Sequence, residues 1–144
     1  MTRWVTPNAL ARGRRPGYSS ERGRSVSKTE VDAWLAEIRD LGIKSIICLL
    51  SSDQLPLYHQ LPGGLIAFYR AAGFTVEHIP AKDHQRPPLT TDHLQKVWSA
   101  YQTLPKPVLV HCSAGIDRTG LAIGHIQRQI ERAAPSVSDE DISF

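Results

Sequence analysis

The residues best able to do chemistry lie together in Val110-His111-Cys112-Ser113-Ala114-Gly115-Ile116-Asp117-Arg118-Thr119-Gly120. A cysteine ends an apolar run, and five residues separate it from an arginine at the expected start of a helix. Five residues are few enough to curl their main-chain N–H groups inward. Beside a helix N-terminus such a nest cradles an anion. Gly115 permits a backbone conformation that a side chain would resist. The Arg118 guanidinium can take two oxygens of a phosphate in a fork. The same positive surroundings favour a thiolate, since cysteines at helix N-termini ionise at roughly 3.5–7.5 instead of ~8.5. A nucleophile beneath a bound tetrahedral anion implies attack on phosphorus and a covalent intermediate. Cys112 is therefore the expected nucleophile. Ser113, Ala114, Gly115, Ile116, Asp117 and Arg118 are the expected phosphate-binding residues.

The elements that must hold this loop can be read from period and punctuation. Residues 2–6 and 8–18 suggest one or two short strands, then a Gly/Pro/Arg loop. Ser27-Lys28-Thr29-Glu30 has the form of a capping box. Val31, Trp34, Leu35, Ile38 and Leu41 then share a helical face, and Gly42 stops the helix. Residues 43–50 form a short Ile-rich run, read as a buried strand. A weaker helix over 64–72, closed by Gly73, leads into an alternating strand with Phe74, Val76 and Ile79. A polar loop over 80–88 follows. Thr90 or Thr91 caps a third helix carrying Leu94, Val97, Trp98, Tyr101 and Leu104, which Pro105 and Pro107 end. Val108-Leu109-Val110 is a central strand, and the last helix shows Leu121, Ile123, Ile126 and Ile130 on one side. Strands alternate with helices three times. This predicts an α/β fold with a mainly parallel central sheet flanked by helices. Ligands in such sheets bind where strands end, and both the 80–88 and 112–118 loops leave strand ends.

The 111–120 segment resembles the signature of the cysteine-dependent protein tyrosine phosphatase superfamily, His-Cys-x-x-Gly-x-x-Arg-Ser/Thr-Gly. His111, Cys112, Gly115, Arg118, Thr119 and Gly120 meet every fixed position. By chance that match falls below roughly one in a million for ordinary residue usage, so coincidence is set aside. The resemblance covers roughly residues 4–132 and points to the compact dual-specificity branch. It implies a phosphomonoester hydrolase acting on a phosphorylated protein or small phosphomonoester through a phosphocysteine. No cofactor or metal is implied. A general acid is implied on an upstream loop, where it would contribute ~10²–10⁴-fold. Asp83, in a Pro-bounded loop between strand and helix, matches that placement, with Asp117 and His84 as rivals. Asp117 is otherwise expected to brace the loop or bond Arg118. His111 is implied to hold the loop and help ionise the thiol, and Thr119 to ease departure of the sulfur. The Arg12–Gly17 segment is similar to the early Arg/Gly/Pro loop of dual-specificity members, where it could flank the site. Ile116 stands where lipid- and inositol-directed members carry lysine. A phosphoinositide or other non-protein phosphate nevertheless stays open as substrate. So do a weakly active phosphate-binding module and a rhodanese-like sulfurtransferase. The late position of Cys112 excludes the low-molecular-weight phosphatases and arsenate reductases.

Composition bounds the remainder. A chain of 144 residues reads as one domain over 1–132 with a flexible tail over 133–144. It buries roughly 68–70% of its unfolded surface without a staple. Two cysteines cannot frame a disulfide-rich or Cys-rich zinc scaffold. Cys48 reads as a core thiol; the resemblance leaves open a regulatory disulfide with Cys112, which no spacing rule supports. His59, His78, His93 and His125 show no ligand spacing. No apolar run approaches the ~20 residues of a membrane span, and a cytoplasmic setting is expected. The net charge of +3 is uneven. Residues 1–28 hold seven basic side chains against one acidic, and the other 116 hold ten against thirteen. A basic arm suits an anionic partner, with phosphate favoured here and no nucleic acid expected. Family members usually continue with further helices after the last one read here. The fold is thus expected to be shortened at its C-terminus, with an open face through which two copies could pair.

Overall fold

The computed structural model describes residues 2–21 and 23–134. The elements in chain order are strand β1 (Arg3–Thr6), β2 (Leu10–Gly13), helix α1 (Lys28–Asp40), β3 (Ser45–Cys48), a 3₁₀ turn (Leu55–Tyr58), α2 (Gly64–Ala71), β4 (Thr75–His78), α3 (Thr91–Thr103), β5 (Val108–His111) and α4 (Asp117–Ala133). The expected 133–144 tail lies, from Pro135 on, outside the described residues. The sheet order is β1-β2-β5-β3-β4, antiparallel only between β1 and β2. The expected α/β fold with a mainly parallel sheet is what forms.

Side chains alternate across a strand, and here the alternation divides the core. Ile47, Leu49, Val108 and Val110 face Val97, Tyr101, Ile123 and Ile126 of α3 and α4. Ile46, Cys48, Leu50 and Leu109 face Val31, Leu35 and Ile38 of α1 and Leu65 and Tyr69 of α2. Every residue of β3 and β5 is buried, which explains their unbroken apolar runs. The run over 43–50 is longer than its strand because pairing loosens at both ends. The Lys44 and Ser45 amides share the Pro107 carbonyl, and Leu49 reaches the His111 carbonyl at 2.9 Å. The apolar side of α4 stops short of its expected length, since Ile130 is 39% exposed. No described helix is long and apolar enough to cross a membrane.

The caps behave as the residue types predict. Ser27 accepts from the Glu30 amide while Glu30 receives the Ser27 amide. Glu30 also holds Arg24 at 2.8 Å, and these donors depress its carboxyl to about 2. Thr90 and His93 cap α3 in the same reciprocal way.

Register brings three strand ends level: Gly13 of β2 and Cys48 of β3 both pair with His111 of β5. Whatever follows these residues converges on one edge of the sheet. Burial outweighs capping in this architecture. Leu109→Ala is expected to cost about 2–5 kcal/mol and Ser27→Ala about 1 kcal/mol, read from denaturant unfolding midpoints.

Candidate active site

The loop after β5 is shaped by backbone contacts that only glycine allows. Gly115 has φ +76°, and a Cβ there would lie 2.5 Å from the Gly13 carbonyl oxygen. The loop therefore packs against the end of β2. It is tied there by Arg12 Nη2 donating to the Gly115 carbonyl (2.8 Å) and by the Arg15 amide donating to the Ser113 carbonyl (2.9 Å). Among the described residues, the main-chain N–H groups of Ser113, Ala114, Gly115 and Ile116 donate to no protein acceptor. Helix α4 starts at Asp117, adding its own unpaired first-turn amides to the same place. Unpaired donors gathered at a helix start are the requirement for an anion cradle.

A cavity of about 280 Å³ opens on this loop. Cys112, Ser113, Arg118, Asp83, Gln54 and Arg15 are among its lining residues. Arg118 is 2% exposed. Its Nη1 donates to the carbonyls of Ala81 (2.7 Å) and Leu49 (3.3 Å) and to Gln54 Oε1 (3.0 Å). Among the described residues its Nη2 has no hydrogen-bond partner, and it lies 3.3 Å from Asp83 Oδ1. The carboxylate picked out from its loop thus meets the arginine picked out from the signature. His84 has positive φ and puts its Nε2 3.6 Å from Asp83 Oδ2, with its ring largely in solvent. Asp117 also lines the cavity but is exposed and does not bond Arg118. Asp117 instead places a negative charge in the first turn of α4.

His111 is completely buried, and burial depresses its imidazole to about 4. A neutral ring has one N–H. Nδ1 lies 2.9 Å from the Cys112 carbonyl, which can only accept, so the N–H must sit on Nδ1. Nε2 must then accept, and the Tyr69 hydroxyl donates to it at 2.9 Å. Burial pushes the Tyr69 phenol well above its usual range, which keeps that donor protonated. Trp34 stacks on Tyr69 at 5.5 Å and meets the His111 ring edge-on at 5.4 Å. A chain of contacts thus runs from α1 and α2 to the peptide after Cys112.

Thr119 is fully buried and its hydroxyl has no hydrogen-bond partner among the described residues. Cys48 is also fully buried, and burial raises its thiol to about 12. Both cysteines are free thiols.

Two site residues escape sequence reasoning. Gln54 precedes the 3₁₀ turn. Its Oε1 accepts from Arg118 Nη1 and from the Ser51 amide, which turns Nε2 toward Asp83 Oδ2 at 3.5 Å. Arg15, grouped by sequence with a basic loop, is 3% exposed and donates through Nε to Ser113 Oγ at 3.1 Å. Among the described residues no cluster of three or more His, Cys, Asp or Glu is arranged to hold a metal ion.

A family model described as Tc-R-P, polymorphic toxin system, DSP-PTPase phosphatase, matches residues 21–129. No curated protein sequence matches the chain. Several solved structures share the fold. The core catalytic domain of the PP-IP phosphatase SIW14 from S. cerevisiae is 19% identical with a TM-score of 0.55, the match covering 90% of this chain and 67% of that one. A mutant form of Tk-PTP is 17% identical with a TM-score of 0.57, covering 96% and 85%. A DUF442 protein of Shewanella putrefaciens CN-32 is 14% identical with a TM-score of 0.58, covering 99% and 81%.

The buried neutral imidazole has a measurable consequence. An unfolded chain takes up this proton near pH 6.5, the folded one only near 4. Between those values the unfolded state binds more protons, so stability falls as pH drops from 6.5 to 4, by up to ~3 kcal/mol from this group. His125, also depressed, acts in the same direction, and Glu30 adds to the fall from its unfolded value of 4.5 downward. Melting temperatures across pH 4–7 should show the fall in the wild type and a flatter profile in His111→Asn. Parallel profiles would refute the neutral buried ring.

Proposed function

Because the chain belongs to the DSP-PTPase phosphatase family of polymorphic toxin systems, we propose that it hydrolyses phosphomonoesters through a phosphocysteine on Cys112. The substrate is a phosphorylated protein or a small phosphomonoester. One observation carries the reading. Cys112, Arg118 and the loop residues Ser113, Ala114 and Ile116, whose amides have no acceptor among the described residues, line one cavity with Asp83, whose carboxylate lies 3.3 Å from Arg118 Nη2.

The steps follow from what each group can do. Loop amides and the Arg118 fork take the phosphate oxygens, supplying fixed positive dipoles where negative charge accumulates. The Cys112 thiolate attacks phosphorus in line. The P–O bond to the leaving group breaks, and Asp83 gives that oxygen its proton. Ionised Asp83 then takes a proton from water as the water attacks phosphorus. The S–P bond breaks, phosphate leaves and the thiolate is restored. Thr119, buried with an uncommitted hydroxyl, donates to the departing sulfur. His111 acts indirectly by fixing the Cys112 carbonyl and hence the first bend of the loop. Gln54 fixes Arg118 Nη1, which leaves Nη2 for substrate.

Cys112→Ser should abolish turnover of para-nitrophenyl phosphate while still binding vanadate or sulfate. Asp83→Asn should lower kcat by about 10²–10⁴ with little change in KM. Full activity of Cys112→Ser would falsify the mechanism. An unimpaired Asp83→Asn would move the acid role to His84 or Asp117. Wild-type turnover that persists in EDTA separates a working enzyme from a phosphate-binding module.

A further inference from the structure

The cavity holds a second buried cation that the proposed steps leave unused. Arg15 is 3% exposed, yet its side-chain hydrogen-bond partners among the described residues are neutral. Nε donates to Ser113 Oγ (3.1 Å), Nη1 donates to the Tyr58 hydroxyl (3.2 Å), and the guanidinium carbon lies 5.7 Å from the centre of the Tyr18 ring. Among the described residues no carboxylate forms an ion pair with it. By contrast, Arg118 has Asp83 and Arg24 has Glu30. A guanidinium taken out of water without a counter-charge is costly, and neutral acceptors offset only part of that cost. An incoming anion would supply the missing charge.

The neighbouring groups are set to receive one. The Tyr58 hydroxyl spends its own hydrogen on the Pro16 carbonyl at 2.7 Å, so toward Arg15 it can only accept. Ser113 Oγ accepts from Arg15 Nε, and its own O–H has no acceptor among the described residues. Ser113 directly follows Cys112 and lines the same cavity as Arg15. A charged donor and a hydroxyl polarised by it therefore sit side by side, next to the thiol. Glu30 clamps Arg24, which in turn holds the Gly17 carbonyl at 2.8 Å, so the loop carrying Arg15 is anchored to α1.

Resting on the phosphatase reading above, we propose that Arg15 and Ser113 form a second anion subsite beside the reacting phosphate. The preferred substrate is then one whose reacting phosphoryl group has another anionic phosphoryl group as a close neighbour.

The test uses the full chain carrying Cys112→Ser, which holds anions without turning them over, with orthophosphate and pyrophosphate titrated by calorimetry. Pyrophosphate should bind about tenfold or more tightly than orthophosphate, the gain of one charge-assisted hydrogen-bonded pair. Adding Arg15→Gln should erase that preference while changing orthophosphate affinity by less than about threefold. Adding Ser113→Ala, which leaves the arginine in place, should reduce the preference several-fold and guards against a misfolded arginine variant. Orthophosphate binding without any pyrophosphate preference overturns this inference alone. So does an equal loss of both anions in Arg15→Gln, which would make Arg15 a brace of the cradle. If neither anion binds the Cys112→Ser parent, the phosphatase reading falls together with it.

Discussion

A single buried guanidinium organises this edge of the sheet. Arg118 is almost wholly removed from water, so its hydrogens must find acceptors inside the protein. Those it finds come from three places. Leu49 follows β3, Ala81 follows β4, and Gln54 belongs to the segment before the 3₁₀ turn. One side chain at the start of α4 thereby ties two strand ends and a loop together. The nitrogen left over lies opposite Asp83. Truncating the arginine would orphan several acceptors at once, so its loss would loosen the walls of the cavity as well as remove a charge.

How much of this could be read from residue order depends on the range of each contact. The capping boxes at Ser27 and Thr90 act over three residues and are legible as they stand. The division of the core is legible because strand alternation is local. The 111–120 loop is legible because its chemistry is contiguous. Asp83 required the resemblance, since nothing nearby in sequence marks it as Arg118's neighbour. Gln54 gave no signal, and Arg15 stood out only as part of the Arg12–Gly17 loop. Their partners are 64 and 98 positions away, and only the level ends of β2, β3 and β5 bring them in. The short 3₁₀ turn was equally silent, since four residues around a proline carry no period. Asp117 shows the opposite error. Adjacency to Arg118 suggested a bond, but adjacent helical positions point apart.

The fold neighbours are only 14–19% identical over most of this chain. At that distance the shared quantity is the arrangement of strands and helices, while loops outside the signature also line the cavity. In this chain those are the loop after β2, which carries Arg15 and Tyr18, the segment carrying Gln54, and the 80–88 loop with Asp83 and His84. None of them belongs to the motif that identifies the reaction.

The stack of Trp34 on Tyr69, with His111 edge-on to both, also matters for observation. Indole emission responds to nearby charge and to ring packing, and only the His111 ring separates this indole from the peptide that opens the loop. Trp34 is thus a built-in optical probe. Rearrangement of the loop on anion capture would reach it through Tyr69 and His111 without any label. The same route makes α1 a place where an inherited change could alter reactivity while leaving every cavity-lining residue untouched.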